Sequence, residues 1–365
     1  MDVIPAFCTF VPPHILDKLA RADDPAIADS AARTLEHDAL QRTRRRLTTV
    51  MGAAPVPGAA ASDRPERTIS DARHRGELPG RKVRGEGDKP GKDQTANRAY
   101  AGLGATFELF RTAFGRRSID DAGLPLNASV HYGRDYSNAF WDGERMVFGD
   151  GDGEIFLDFT VALDVIGHEL AHGVTQYTAN LSYFGQPGAL NESMSDVFGS
   201  LVKQYTLGQS AEEADWLIGA GLLGPNVSGI ALRSMKAPGT AYDDEVLGRD
   251  PQPASMEDYV RTGRDNGGVH INSGIPNHAF YLVATALGGN AWERAGQIWY
   301  DVLTGGELAV SASFADFAQL TVAAARSRYG EGQERQALLK AWSDVGVTPG
   351  HTSPGPDIGG DDDEW

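Results

Sequence analysis

Asp164-Val-Ile-Gly-His168-Glu169-Leu-Ala-His172-Gly-Val-Thr175 is a largely apolar run with two histidines four residues apart. On a helix, residues at i and i+4 project from one face, one turn above the other. The two imidazoles can therefore share one Zn2+, with Glu169 beside it and able to polarise a bound water. Taken alone, the pattern also fits a helix with two surface histidines. A second run, Gly188-Ala-Leu-Asn191-Glu192-Ser-Met-Ser-Asp196, outweighs that reading. Glu192 is expected to open a new helix, far enough after His172 for the chain to turn back over the first one. His168, His172 and Glu192 then give three protein ligands and leave a fourth position to water, the composition of a catalytic zinc site. Asp196, one turn after Glu192, is placed to accept the free N–H of a liganding histidine, which fixes its tautomer and raises its basicity. Asn191 and Asp196 are the candidate supports behind the ligands.

Outward from this pair of segments the chain changes texture. From residue 161 on, helical patterns dominate, over 161–178, 192–205, 276–287, 291–303, 313–329 and 333–345. Before them, 67–160 is Gly-rich with short alternating runs such as Ser129-Val-His131-Tyr and Met146-Val-Phe148, which predicts a β-rich lobe with many turns. The expected class is α+β, two-lobed, with the histidine helix between the lobes. Residues 1–51 hold an apolar stretch, Ile4 to Leu16, and helical patterns over 15–21 and 25–47. In the second of these Asp24 can cap and Pro25 suits the first helical position. A Gly/Ala/Pro/Ser-rich linker, 52–66, follows, of the kind that proteases cut. Residues 348–365 read as a Pro/Gly/Asp-rich tail.

Composition narrows the partners. The net charge is −17 overall and +3 over residues 1–100, so the remainder carries −20. So acidic a body is a poor partner for nucleic acid or an anionic membrane, which need clustered Lys and Arg. Cys8 is the one cysteine, so no intrachain disulfide is available. No apolar run reaches transmembrane length. The first residues lack the positive and apolar regions of a signal peptide, so the expectation is cytoplasmic synthesis, with export left to a non-classical route.

With these motifs assembled, residues 67–347 resemble the thermolysin-like zinc metallopeptidases. Asn138-Ala-Phe-Trp141 followed by Met146-Val-Phe-Gly-Asp150-Gly-Asp152-Gly resembles the family's substrate-edge strand and the turn after it. Asp265-Asn-Gly-Gly-Val-His270 resembles the segment of a second catalytic histidine, and Leu232-Arg233-Ser-Met that of a substrate-carbonyl arginine. The resemblance implies a zinc-dependent neutral endopeptidase with one Zn2+ per chain and Glu169 as general base. It implies that His270 and Tyr183 donate to the oxyanion while Asp265 orients His270. Asn138 and Ala139 would hold an extended peptide or protein substrate. Arg233 would meet the carbonyl on the leaving-group side, and Phe156, Phe159, Val165 and Leu232 would favour a large hydrophobic residue just past the scissile bond.

Two departures stand out. Asp164 and Asp215 match carboxylates of the family's double calcium site, but Lys203, Leu217 and Ala220 stand at its other positions. Leu223 and Ile230 stand at a further site. Calcium needs six or more oxygens, so calcium is expected to be absent and Lys203 to sit between Asp164 and Asp215. The N-terminal zone resembles the short prosegment of the protealysin-like branch, where Pro12, Pro13 and Leu16 match a motif that docks against the mature enzyme and blocks its cleft. A pre-extended Pro-Pro stretch costs little entropy to bind. This makes the chain's own prosegment a partner and the linker the site of maturation; a proteinaceous inhibitor is a further partner the resemblance allows. Cys8 could reach the zinc as a blocking thiolate or stand as an inert thiol. An exopeptidase on the same helix and a non-catalytic zinc module remain the rival readings.

Overall fold

The computed structural model describes residues 7–50 and 63–350, with backbone alone for 45–50. Most of the expected linker, 52–62, and most of the tail, 351–365, lie outside the described residues. The N-terminal zone forms α1 (Pro13–Leu19) and α2 (Pro25–Val50), each begun by a proline where a missing N–H is no loss. Five strands follow: β1 (Arg67–Arg75), β2 (Arg81–Gly85), β3 (Leu126–Tyr132), β4 (Ala139–Trp141) and β5 (Arg145–Phe148), in spatial order β2-β1-β3-β5-β4. Strand β3 runs parallel to both β1 and β5, while β4 closes one edge antiparallel to β5.

The lobe expected to be β-rich also contains a long helix, α3 (Gln94–Phe114), which the sequence reading missed. Gly102 and Gly104 masked its pattern. Gly102 is needed where α3 meets the histidine helix, because a Cβ there would lie 2.4 Å from Ile166. Asp93 caps the helix through Ala96 N, and Gly115, left-handed at φ 67°, ends it.

The second lobe opens with α4 (Leu163–Gln176) and α5 (Gly185–Leu207), followed by a ribbon of β6 (Leu217–Ile218) and β7 (Arg233–Ser234). Then come α6 (Asp265–Asn272), α7 (Gly274–Leu287), α8 (Ala295–Thr304), α9 (Phe314–Tyr329) and α10 (Gln333–Asp344). One expectation is corrected: Glu192 does not open a helix. The helix begins seven residues earlier, because Pro187 falls in the first turn, where proline is tolerated, instead of breaking it. Glu192 is thus buried in mid-helix, away from the dipole of the helix end.

Helix α4 is buried from Asp164 to Thr175, as a helix enclosed on every side must be. Its partner α5 crosses it at contact distance. A Cβ on Gly199 would stand 2.5 Å from the Asp164 carbonyl oxygen and 3.0 Å from His168 N, both backbone atoms that cannot yield. Gly199→Ala should therefore destabilise by about 1–3 kcal/mol or more, the cost of overpacking, and weaken metal uptake. A denaturant midpoint and metal content equal to those of the parent chain would contradict this packing.

Helix α2 lies on the strand lobe, whereas α1 reaches the second lobe, where a Cβ on Gly248 would come within 2.6 Å of Lys18 Nζ. Ser30 Oγ donates to Asp135 O at 2.8 Å and Ser137 N to Thr34 Oγ1 at 3.0 Å. Asp38, on α2, is 4% exposed and accepts from Tyr136 OH at 2.5 Å and Asn138 Nδ2 at 3.1 Å. Burial outweighs these donors and pushes its carboxyl up from 3.8 to about 7. The docked state therefore binds a proton more tightly than the undocked one. Its contribution to docking is full below the ordinary aspartate value and is lost as pH rises to about 7. Docking of residues 7–50 should weaken from pH 5 to pH 8, and Asp38→Asn should flatten that dependence. Hydrogen exchange on α2 at the two pH values reads it; an equal pH response in the variant would refute it.

Candidate metal centre and substrate cleft

Helix α4 carries His168, Glu169 and His172, and α5 carries Asn191, Glu192 and Asp196. The crossing of the two helices makes them meet. His168 Nε2 lies 3.1 Å from His172 Nε2 and 3.5 Å from Glu192 Oε2, and His172 Nε2 lies 3.4 Å from Glu192 Oε1. Ligands about 2.0–2.1 Å from a tetrahedral Zn2+ would stand roughly 3.3 Å apart, so the three edges match. The outer nitrogens are already engaged: His168 Nδ1 donates to Asp196 and His172 Nδ1 to Asn191, each at 2.8 Å. That leaves both Nε2 atoms facing the Glu192 carboxylate. Glu192 Oε2 and Glu169 Oε1 are buried with no hydrogen-bond partner. Orphaned carboxylate oxygens at this depth are costly unless a cation compensates them, so the donor set fits a zinc ion.

The local field favours positive charge. Burial alone would lower the His168 imidazole, yet Asp196 and Glu192 raise it to about 9. His172, more weakly compensated, is driven by burial down to about 4, which suits a neutral ligand. Burial opposes ionisation of Asp196, but Arg233 and His168 hold its carboxyl down at about 2. Burial pushes Glu169 up to about 8, and its Oε2 accepts from Trp141 N at 3.1 Å.

A second histidine faces the same space. Residues Asp265 to Gly268 all have positive φ, from 51° to 82°, and this left-handed turn folds Asp265 back on His270. Asp265 Oδ1 accepts from His270 Nδ1 at 2.6 Å and Oδ2 from His270 N at 2.9 Å. Burial opposes protonation of His270, but Asp265 and Glu192 raise it to about 9, making a cationic donor. Tyr183 OH lies 3.3 Å from His270 Nε2 and donates to Glu192 Oε1. In this state Tyr183 therefore serves a candidate ligand in place of an oxyanion.

The expected cleft residues gather here too. Arg233, buried on β7, makes a two-pronged bond to Asp196 at 2.8 and 2.9 Å, so it supports the centre as well as facing the cleft. Phe156, Phe159, Val165 and Leu232 are all buried, and the rings of Phe156 and Phe159 lie 5.9 Å apart. Sequence reasoning missed Asn277, whose Nδ2 donates to Asp196 Oδ2 at 2.8 Å; no spacing signal links it to α5. It also missed the backbone N–H of Trp141.

The prosegment motif is placed differently from the expectation. Pro12 is extended, but Pro13 starts α1, so the pair is not one stiff extended stretch. The residues inside the cleft precede it: Thr9, Phe10 and Val11, running along β4 with a bridge from Thr9 to Phe140. A bulky apolar residue just before the proline pair was the available signal. Cys8 is buried, its sulfur within 4.8 Å of ligand atoms of His172 and Glu192.

Comparison with known proteins agrees with this geometry. The family model described as thermolysin metallopeptidase, catalytic domain, matches residues 62–176, and that for the alpha-helical domain matches 179–347. An extracellular metalloprotease of Pectobacterium carotovorum subsp. carotovorum is 50% identical over 93% of this chain and 96% of its own. Protease PrtS of a Photorhabdus strain is 47% identical over 92% of this chain and 91% of its own. The solved precursor of protealysin, a metalloproteinase from Serratia proteamaculans, superposes with a TM-score of 0.86 at 52% identity, covering 93% of this chain and all of that one. These relatives overturn the cytoplasmic expectation, since the Pectobacterium protein is named as extracellular. A search for an apolar leader detects one kind of export address, and failing it assigns no compartment. Matched along nearly its whole length, the chain belongs to the thermolysin family, as a zinc-dependent metalloendopeptidase of the protealysin type made as a precursor.

Proposed function

We propose that His168, His172 and Glu192 hold one zinc ion per chain and that Glu169 is the general base for hydrolysis of peptide bonds on the N-terminal side of large hydrophobic residues. The observation that carries this reading is the convergence of two Nε2 atoms and one carboxylate within 3.5 Å, beside an unpartnered Glu169 oxygen. Zinc supplies Lewis acidity and a water acidic enough to attack near neutral pH. Glu169 takes the water proton and returns it to the leaving nitrogen, with Trp141 N fixing its other oxygen. His270, kept cationic by Asp265, donates to the developing oxyanion, and Tyr183 joins it once released from Glu192. Asp196 and Asn191 hold the imidazoles in the tautomer that frees Nε2. Asn138 and Ala139 bind the substrate backbone, Arg233 its next carbonyl, and Phe156, Phe159, Val165 and Leu232 the hydrophobic side chain.

The same reading divides the chain into a prosegment, 1–51, a maturation linker, 52–66, lobes at 67–160 and 161–347, and a tail, 348–365. Within the prosegment, Pro12, Pro13 and Leu16 set the exit from the cleft: Pro12 ends the extended run, and Leu16, fully buried, anchors α1.

Glu169→Gln, freed of residues 1–66, should keep one zinc and its melting temperature while kcat falls by ~10²–10⁴-fold, the usual worth of general base help. Hydrolysis of a blocked peptide together with metal analysis reads both; near-parental kcat would remove Glu169 from this role.

Calcium, on this reading, is replaced by Lys203. Its Nζ donates to Asp164 at 3.1 Å, Asp215 at 2.9 Å and the Leu217 carbonyl at 3.1 Å. Burial opposes the ammonium, but the two carboxylates raise its pKa. Because Asp164 is buried, Lys203→Ala should cost roughly 3 kcal/mol, while millimolar calcium leaves the melting temperature of the parent chain unchanged. A large calcium-dependent rise in that temperature would contradict the substitution of cation by lysine.

A further inference from the structure

Three successive residues of the N-terminal zone meet the cleft through their backbone. Phe10 N donates to Ala139 O at 3.0 Å, which adds the segment to the open edge of β4. Val11 N donates to Asn138 Oδ1 at 2.8 Å, and Asn138 Nδ2 to Val11 O at 3.3 Å. Two carbonyls point to cationic side chains instead. The Thr9 carbonyl accepts from His270 Nε2 at 3.0 Å, and the next one, of Phe10, from Arg233 Nη1 at 3.3 Å.

These contacts define a register and a direction. One carbonyl at His270 followed by the next at Arg233 can be satisfied in only one alignment, because a slip of one residue turns every side chain to the opposite face. In that alignment the side chain just past the His270-bound carbonyl is Phe10. Its ring is fully buried, lies edge-on to His168 at 5.3 Å, and has the Arg233 guanidinium 4.6 Å above it. It packs against Gly219, where a Cβ would come within 3.2 Å of the ring and 3.6 Å of Leu232. A large hydrophobic side chain thus lies beside Leu232, on the side of the cleft assigned to the residue after the cut. Beyond Val11 the strand stops, because Pro12 has no N–H to continue the ladder and Pro13 begins α1.

We infer that residues 9–11 lie in the cleft in the orientation of a substrate, and that the Thr9–Phe10 peptide bond is the chain's first substrate, cut by its own site. This rests on the roles proposed above for His270 and Arg233. The step is a hydrolysis. Water adds to the Thr9 carbonyl carbon, the bond to Phe10 N breaks, Thr9 keeps the hydroxyl oxygen as a carboxylate, and Phe10 N gains the proton of an amine. Residues 10–50 stay docked after the cut, because α2 is held separately through Ser30, Thr34 and Asp38. The cut therefore trims the occupant of the cleft without releasing it, and it precedes the maturation step in the linker.

The test uses the full chain loaded with stoichiometric zinc and followed by intact mass and N-terminal analysis. The expected product begins at Phe10, accumulates with first-order kinetics independent of chain concentration, and retains residues 10–50 on the enzyme. Phe10→Leu should keep the rate within about tenfold, whereas Phe10→Asp, which puts a charge in an apolar pocket, should slow it at least ~100-fold. A Phe10→Asp chain that still hydrolyses a blocked peptide after an added protease removes its prosegment shows that the site itself is intact. A parent chain that cleaves a blocked peptide once freed of its prosegment, yet leaves Thr9–Phe10 whole in the precursor, overturns the inference. Cleavage of neither bond overturns the proposed site as well.

Discussion

The close crossing of α4 and α5 is the constraint on which the rest of the molecule depends. Gly199 lets the two backbones touch at the level of His168, and that contact carries Glu192 and Asp196 onto the imidazole face of α4. Almost every residue at the crossing is buried, including two histidines and four carboxylates, Asp164, Glu169, Glu192 and Asp196. Burying so many ionisable groups is unfavourable unless each is compensated. Asp196 shows how this is achieved: one carboxylate accepts from His168, twice from Arg233, and from Asn277. The same Arg233 reaches into the cleft. One arginine therefore joins the carboxylate behind His168 to the cleft.

Much of this was legible before any coordinates, for identifiable reasons. The spacing of His168 and His172 puts both on one helix face, and the second run around Glu192 and Asp196 removed the alternative of two surface histidines; the periodic patterns of α7 through α10 are long enough to survive local noise. Other features were hidden. Glycine obscured α3, although Gly102 serves to let α3 approach Ile166. The start of α5 was also misplaced at Glu192, because a proline in the first turn, Pro187, is compatible with a helix that begins at Gly185. Asn277 and Trp141 act on the site from elements remote in sequence, and no spacing rule connects them to it. Asp265 was expected beside His270 only through the family resemblance, and the left-handed run 265–268 that folds it there has no spacing rule of its own.

The N-terminal zone works by the same physics as a substrate. It adds a short strand to an exposed sheet edge, gives two carbonyls to cationic side chains, and fills an apolar pocket with an aromatic ring. Two proline residues then turn the chain out of the cleft into a helix, which ends the extended run at Pro12. Helix α2 adds contacts of its own through Ser30, Thr34 and Asp38, outside the cleft. In the second lobe the Lys203 ammonium likewise compensates a buried carboxylate, standing between Asp164 and Asp215.

The most direct measurement is X-ray absorption at the zinc edge of the metal-loaded chain, taken alongside a His172→Ala variant. Two imidazole nitrogens and a carboxylate oxygen at about 2.0–2.2 Å should appear in the parent chain, with metal affinity collapsing in the variant. A shell without paired imidazoles, or unchanged uptake when His172 is removed, would contradict the metal centre described above.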